Sequence, residues 1–509
     1  MNWVIKENND NESVKRLSNE LNISPILSSM LVNRRIKTFD QAKKFFRPNF
    51  EMLHDPFLMK DMSLAVERIQ KAIQKNESIM IFGDYDVDGT SSVALLSMYL
   101  ESLGLKIIKY LPDRKKEGYG VSINAIDHAF SKNHKLIIAL DCGIKAHKQV
   151  EYAKEKGIEF IICDHHNPDK NLPKALAILN PKRKDCAYPF KELCGCGVGF
   201  KLVQAVESKQ SKNNQIINYL DLVALAIAAD VVPLTGENRV LAFIGLQIIN
   251  SNPRPGVHSL LKKNVKKEYT ISDLMYYVGP RINAAGRMKH ASLALEVLIC
   301  NDINSIEKLA LEIEDLNTSR KDIEKDITSQ AIEQVDNSSE KLNSIVVFDS
   351  DWNKGVIGIV ASRLVDKYYK PSIVFCESSK GVLTASARSI KGLDLYSVLN
   401  QCKGFIDQFG GHKYAAGLTI KKENLEGFKK HFENIVSQII DKNIFEQELL
   451  IESKINLNEI TPKFFRILKQ FEPFGPGNKS PLFLSENLKT KGKAFELGKE
   501  KEHIKLNLT

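Results

Sequence analysis

Carboxylates and imidazoles recur in four short clusters, each closing an apolar run. They are Asp84, Asp86 and Asp88 in Phe82-Gly-Asp-Tyr-Asp-Val-Asp-Gly89, Asp141 in Ala-Leu-Asp141-Cys-Gly, Asp164, His165 and His166 in Ile-Cys-Asp164-His-His-Asn, and Asp230 in Ala-Ala-Asp230-Val-Val-Pro. Unpaired carboxylates repel one another and resist desolvation, so such clusters do little for stability. Gathered in one cleft, they can hold hard divalent cations. For the first cluster alone, a solvated Asp-rich turn is the alternative, because Asp-Gly is a common turn dipeptide. For Asp230 the alternative is an acid capping the next segment. Carboxylates with one or two imidazoles and no thiolate suit Mg²⁺ or Mn²⁺ over Zn²⁺, and the histidines favour Mn²⁺. The ligand count exceeds the needs of one octahedral ion, so two divalent ions sharing Asp141 are expected. Such a pair activates water and neutralises phosphoryl oxygens during in-line displacement. The inferred chemistry is phosphoester or phosphoanhydride hydrolysis.

The elements that must position these groups alternate between strand and helix. Strands are predicted at 78–82, 106–111, 136–140 and 158–162, with helices at 90–103, 122–130 and 147–156. Short apolar strands alternating with helices indicate a parallel sheet covered on both faces. In such sheets functional groups collect beyond the carboxyl ends of the strands. Three strand ends carrying acidic motifs therefore point to a site. The first motif reads as carboxylates released at alternate positions from a strand exit. Ahead of the sheet, residues 63–73 place Leu64, Ala65, Ile69, Ala72 and Ile73 on one helical face.

The bulk numbers exclude several classes. At 509 residues the chain should form two to four domains. No window approaches the ~18 consecutive apolar residues of a membrane span, and the N-terminus lacks a secretory pattern. A cytoplasmic location follows, with no membrane partner. The formal charge of +10, carried despite 62 acidic residues, fits a polyanionic partner without demanding one. None of the eight cysteines forms a Cys-x-x-Cys pair. Cys194 and Cys196 with Cys186 are a weak match to zinc spacings, and reduced buried thiols are the better account.

Taken together, Asp86-Val-Asp88-Gly, Asp141, Asp164-His-His166 and Asp230 resemble the four motifs of the DHH phosphoesterases. Within that superfamily the chain is most similar to the RecJ family of 5′→3′ single-strand-specific DNA exonucleases. Gly83–Gly89, Pro112–Gly120, Gly279–Met288 and Glu472–Asn478 stand in the order of that family's characteristic stretches. The resemblance spans about residues 40–509. Some relatives carry a histidine ahead of the paired aspartates of the first motif; here Phe82 and Asp84 occupy that region, and Asp84 is expected to supply the ligand.

The resemblance implies a parallel-sheet DHH catalytic domain (76–301) after an N-terminal helical or mixed segment (1–75). A linker helix (302–335) then leads to a smaller α/β DHH-associated substrate-binding domain (341–440) and an incomplete OB-like β-barrel (446–509). It implies a metal-dependent 5′→3′ exonuclease on single-stranded DNA, in repair and recombination. Asp84, Asp86, Asp88, Asp141, His165 and Asp230 would be the ligands. His166 would polarise a phosphate oxygen or support the leaving group, and Asp164 would orient the histidines. Arg114 and Tyr119, in a Gly-flanked loop, suit a phosphate and a stacked base; a mobile basic loop is the alternative. Arg281 and Arg287 flank a small-residue turn, Asn283-Ala-Ala-Gly286, and would contact the nucleic-acid backbone; structural ion pairing is the alternative. Ser386 and Arg388, alternating on a strand, would grip a terminal phosphate. Gly410 and Gly411 would turn tightly around an oxyanion beside His412. A monomer is expected, with single-strand-binding protein and a helicase as partners. A DHH phosphatase acting on pyrophosphate, cyclic dinucleotides or short oligonucleotides is the other reading.

Overall fold

The computed structural model describes residues 2–7, 10–114, 116–210, 216–338, 342–439, 448–498, 501 and 503–508. The chain divides into two compact units. One comprises Trp3–Pro280, Leu295–Ile306 and Leu449–Thr509; the other is built mainly of Arg281–Ala294 and Glu307–Glu448.

The first unit is organised on five parallel strands: β1 (Ile79–Gly83), β2 (Ile107–Tyr110), β3 (Leu136–Leu140), β4 (Glu159–Cys163) and β5 (Ala177–Leu179). Their spatial order is β2-β1-β3-β4-β5. Alternate residues face opposite sides of a strand, and both sides are covered here. Met80, Phe82, Ile137, Ala139, Phe160 and Ile162 pack under two helices, at Ile123–Ser131 and His147–Glu155. Helix α1 (Val87–Ser102) packs on β1 from the other face, and α2 (Gly195–Glu207) on β3 and β4. Helix α3 (Leu220–Asp230) is apolar around its whole circumference and buried from Leu220 to Ala228. It is followed by α4 (Gly236–Ser251).

The register explains why the motifs meet. Gly83 pairs with Leu140, Leu140 with Cys163, and Cys163 with Leu179. The chain therefore leaves the sheet at one level four times, at Asp84, Asp141, Asp164 and Asn180. Strand order reverses between β1 and β3, the place where open α/β sheets form their crevice.

Two local expectations are corrected. The Asp86 carboxylate accepts the Gly89 N–H at 3.0 Å and caps α1, which begins at Val87 rather than at Thr90. Asp88 therefore lies in the first helical turn instead of alternating with Asp84 and Asp86 along an extended exit. In the helix at Met62–Gln74, Leu64 is exposed while Ala65, Val66, Ile69 and Ala72 are buried.

Helix α5 (Gly279–Met288) replaces the expected turn at Asn283–Gly286, and α6 (Ile303–Asp336) runs for 34 residues. The second unit has a mixed sheet of β6 (Ile345–Asp349), β7 (Ser372–Ser379), β8 (Val382–Arg388), β9 (Gln408–Gly411) and β10 (Ala415–Lys421), in the order β9-β10-β8-β7-β6. Only β6 and β7 run parallel. Ile327 and Ala331 of α6 join the core formed by Val347, Val374 and helix α7 (Ile357–Tyr368). Gly410 and Gly411 lie in the edge strand β9, paired with Gly417 and Ala416, not in a turn. The turn follows them, closed by the His412 N–H on the Ala415 carbonyl.

In the first unit, the helices at Asn11–Leu21 and Pro25–Asn33 share a core with Ile455, Phe464 and Phe471. Strand pairing after residue 451 joins Ser453–Lys454 to Phe483–Leu484 and Phe495–Leu497 to His503–Lys505, which is not a closed barrel among the described residues.

Candidate metal centre

Asp141 directly follows β3 in the left-handed region, φ 59°. His165 follows β4 and brings Nε2 to 3.2 Å from Asp141 Oδ1, 3.7 Å from Asp230 Oδ2 and 3.9 Å from Asp88 Oδ2. Two overlapping trios result, Asp141–His165–His166 and Asp88–His165–Asp230, and within each the ligand atoms lie within 4.8 Å of one another. His165 belongs to both. Asp84, buried beside them at the end of β1, and Asp86, which caps α1, belong to neither trio.

The electrostatics call for positive charge. Burial, reinforced by neighbouring carboxylates, pushes the acids of Asp84, Asp88 and Asp141 well above their usual range. Asp230 is pushed up to about 7 by burial and then by Asp86. Burial and the charge of His166 hold His165 down at about 3, so its imidazole is neutral and able to ligate. Asp84 Oδ1, Asp141 Oδ1 and His165 Nε2 are buried without a hydrogen-bond partner. Each such orphan costs about 1–3 kcal/mol, and a divalent cation held at the first trio would satisfy Asp141 Oδ1 and His165 Nε2. The donor set, oxygen-rich with imidazole and without thiolate, fits Mn²⁺ or Mg²⁺. No cysteine enters either trio. Cys194 Sγ instead accepts the Gly197 N–H as the cap of α2.

Asp164 is committed elsewhere. Its Oδ1 accepts from His165 N, His166 N and His166 Nδ1, and its Oδ2 from Ile144 N. Burial opposes its charge, but the hydrogen bond and charge of His166 prevail and draw the carboxyl down to about 2. Burial likewise works against the His166 cation, yet Asp164 outweighs it and raises its proton affinity. His166 Nε2 stands 3.4 Å from the Tyr119 hydroxyl. Arg114 lies over the ring of Tyr85, 4.8 Å from its centre. Arg114 and Tyr119 thus reach the first and third clusters.

In the second unit, Arg388 Nη1 donates to Ser386 Oγ at 3.0 Å. A Cβ at Gly358 would lie 2.9 Å from that oxygen and 3.1 Å from Arg388 Nη2, so the first turn of α7 closes on the pair. His412 is exposed beyond β9. Arg281 is buried with Nε 2.5 Å from Glu314, the ion-pair alternative, and Arg287 Nη1 donates to the Gly355 carbonyl at 2.8 Å.

Sequence reasoning missed Tyr85, Asn180 and Gly358. Asn180 Nδ2 donates to the His166 carbonyl at 2.9 Å and steadies the histidine pair. Its local signal was weak: Ala-Ile-Leu-Asn180-Pro is a further apolar run ending in a polar group, but too short to show a period. Gly358 gave none, because its partners lie some thirty residues away.

A parallel sheet whose ends gather these carboxylates and a His pair defines a DHH-family catalytic domain. The model for the DHH family, N-terminal domain, matches residues 78–227, that for the DHHA1 domain matches 341–438, and that for the RecJ OB domain matches 451–509. The chain belongs to the RecJ family. It is 37% identical over 518 residues to the single-stranded-DNA-specific exonuclease RecJ of Bacillus subtilis (strain 168), covering 100% of this chain and 64% of that protein. It is 35% identical to that of Haemophilus influenzae, covering 97% and 88%. The crystal structure of RecJ in complex with Mn²⁺ from Thermus thermophilus superimposes with a TM-score of 0.87 at 26% identity, covering 100% of this chain and 72% of that one. Among the described residues no helix is long and apolar enough to cross a membrane.

Proposed function

We propose that this protein is a divalent-metal-dependent exonuclease that hydrolyses single-stranded DNA from the 5′ end. The observation that carries the reading is the convergence of Asp88, Asp141, His165 and Asp230, with unpartnered buried ligand atoms, in a chain of the RecJ family. Asp84, Asp86, Asp88, Asp141, His165 and Asp230 would hold two ions, Mn²⁺ in preference to Mg²⁺ because imidazole joins the carboxylates. When bound, such ions neutralise phosphoryl oxygens and activate water.

The chain's own residues do the rest. Asp164 fixes the His166 ring through Nδ1 and raises its proton affinity, so His166 holds a proton at Nε2 for a phosphate oxygen or the departing alkoxide. Tyr119, beside that nitrogen, offers a face for the terminal base. Arg114, over Tyr85, supplies a fixed positive charge for the phosphate backbone. Ser386, Arg388 and the first turn of α7 at Gly358 suit a terminal phosphate, with Arg287, Gly410, Gly411 and His412 as further substrate contacts. Residues 451–509, matched by the RecJ OB domain, suit single-strand tracking. The same reading implies a cytoplasmic monomer working with a single-strand-binding protein and a helicase.

The test uses 3′-labelled single-stranded DNA, RNA and duplex with Mn²⁺, Mg²⁺ or EDTA, each carrying a 5′ phosphate or a blocked 5′ end. Stepwise loss from the 5′ end of single-stranded DNA, only with metal, is expected. Cleavage of pyrophosphate or dinucleotides without digestion of long strands would contradict the reading.

A further inference from the structure

One turn outside the recognised motifs touches two members of the cluster. The first two N–H groups of α2 each take one oxygen of Asp88: Gly195 N donates to Oδ2 at 2.7 Å and Cys196 N to Oδ1 at 2.6 Å. This bidentate grip fixes the plane of a buried carboxylate. Gly195 also lies against Asp141: a Cβ on it would stand 2.6 Å from Asp141 Cβ and Oδ1 and 2.9 Å from its Cα. The turn is itself held from outside. Asn238 of α4, fully buried, donates through Nδ2 to the Glu192 carbonyl at 2.5 Å and to the Pro233 carbonyl at 3.0 Å. Glu192 leads into the turn at Asp88, and Pro233 lies three residues beyond Asp230. A single amide group thereby ties the segment that orients Asp88 to the segment that carries Asp230.

We propose that Gly195 and Asn238 are positioning residues of the metal centre. Gly195 sets the separation of Asp88 from Asp141, because only a hydrogen in place of a side chain lets α2 approach Asp141 while donating to Asp88. Asn238 sets the separation of Asp88 from Asp230. Neither touches substrate; both act through the ligands. Groups that orient metal ligands from behind typically contribute 10- to 100-fold in affinity.

The proposal rests on the reading of the cluster as a divalent-metal site, and the experiment separates the two. Mn²⁺ binding to the full-length protein is titrated by calorimetry for the parent, Gly195→Ala and Asn238→Leu, and unfolding midpoints are recorded in EDTA. Asn238→Leu keeps the side-chain volume and removes the donor. The expected result, at a temperature where every metal-free variant is still folded, is Mn²⁺ affinity weakened roughly 10- to 100-fold in each variant, alongside metal-free midpoints lowered by the lost hydrogen bonds or the added Cβ. If Gly195→Ala does not fold, Asn238→Leu alone decides the outcome. Parent-like Mn²⁺ affinity in the folded variants, or weakening found only where the metal-free variant is already unfolding, overturns the positioning role. Absence of Mn²⁺ binding by the parent overturns the metal reading on which it stands.

Discussion

His166 Nδ1 stands 2.7 Å from Asp164 Oδ1, and the same oxygen accepts the backbone N–H groups of both His165 and His166. One buried carboxylate thus fixes the backbone of the pair and the ring of its second member. The substitution Asp164→Asn removes the charge and can turn an amide NH₂ toward groups that are themselves donors. A loss of roughly 10²- to 10⁴-fold in kcat is expected, the range for a mispositioned general acid or base. KM for single-stranded DNA should change little. Steady-state kinetics on a 3′-labelled strand decide it.

The same pair fixes a pH dependence. Burial opposes the His166 cation, but Asp164 raises its proton affinity above the ordinary histidine value. A step that uses this proton is served at low pH and fails as pH rises through the raised pKa. Removing the Asp164 charge lowers that pKa, so the alkaline limb of the pH–kcat profile should move toward lower pH in Asp164→Asn. An unmoved limb would assign it to another group.

The second unit makes a separate prediction. Arg388 is braced on Ser386 under Gly358, and a charge-assisted hydrogen bond to phosphate is worth about 1.5–3 kcal/mol. Arg388→Ala should raise KM for a 5′-phosphorylated strand roughly 10- to 150-fold and erase the difference between 5′-phosphate and 5′-hydroxyl ends. A retained preference for the phosphate would remove Arg388 from that role.

A buried ion pair behind the sheet should govern stability without touching chemistry. Lys201 of α2 is fully buried, donating to the His54 carbonyl at 2.6 Å, with Glu237 Oε1 at 3.2 Å. Lys201→Ala strands a buried carboxylate, a loss of about 3–5 kcal/mol, read as a lowered urea midpoint. An unchanged midpoint would mean that water or Tyr188, which also donates to Glu237, compensates for the missing ammonium.

The sheet and the four clusters were legible because strand periodicity and acids closing apolar runs are local signals. The start of α1 was not, since Asp86 capping Gly89 depends on Gly89 fitting against Asp84: a Cβ there would lie 2.4 Å from the Asp84 carbonyl oxygen. Strand β5 escaped because three residues show no period. Gly410 and Gly411 read as a turn because glycine pairs usually mark one, whereas they pair with Gly417 and Ala416 in the edge strand. Asn238, Gly195 and Gly358 act on partners distant in sequence, and no local spacing marks them.

Asp141 carries the central claim, because its carboxylate lies among those of Asp84, Asp86, Asp88 and Asp230 and within reach of His165. The direct measurement is single-turnover cleavage of 3′-labelled single-stranded DNA by the parent and Asp141→Ala, in Mn²⁺ and in EDTA, with strand binding followed by anisotropy. Metal-dependent cleavage by the parent, and none by Asp141→Ala at near-parent strand affinity, is predicted. Near-normal turnover by Asp141→Ala, or cleavage by the parent in EDTA, would contradict the account.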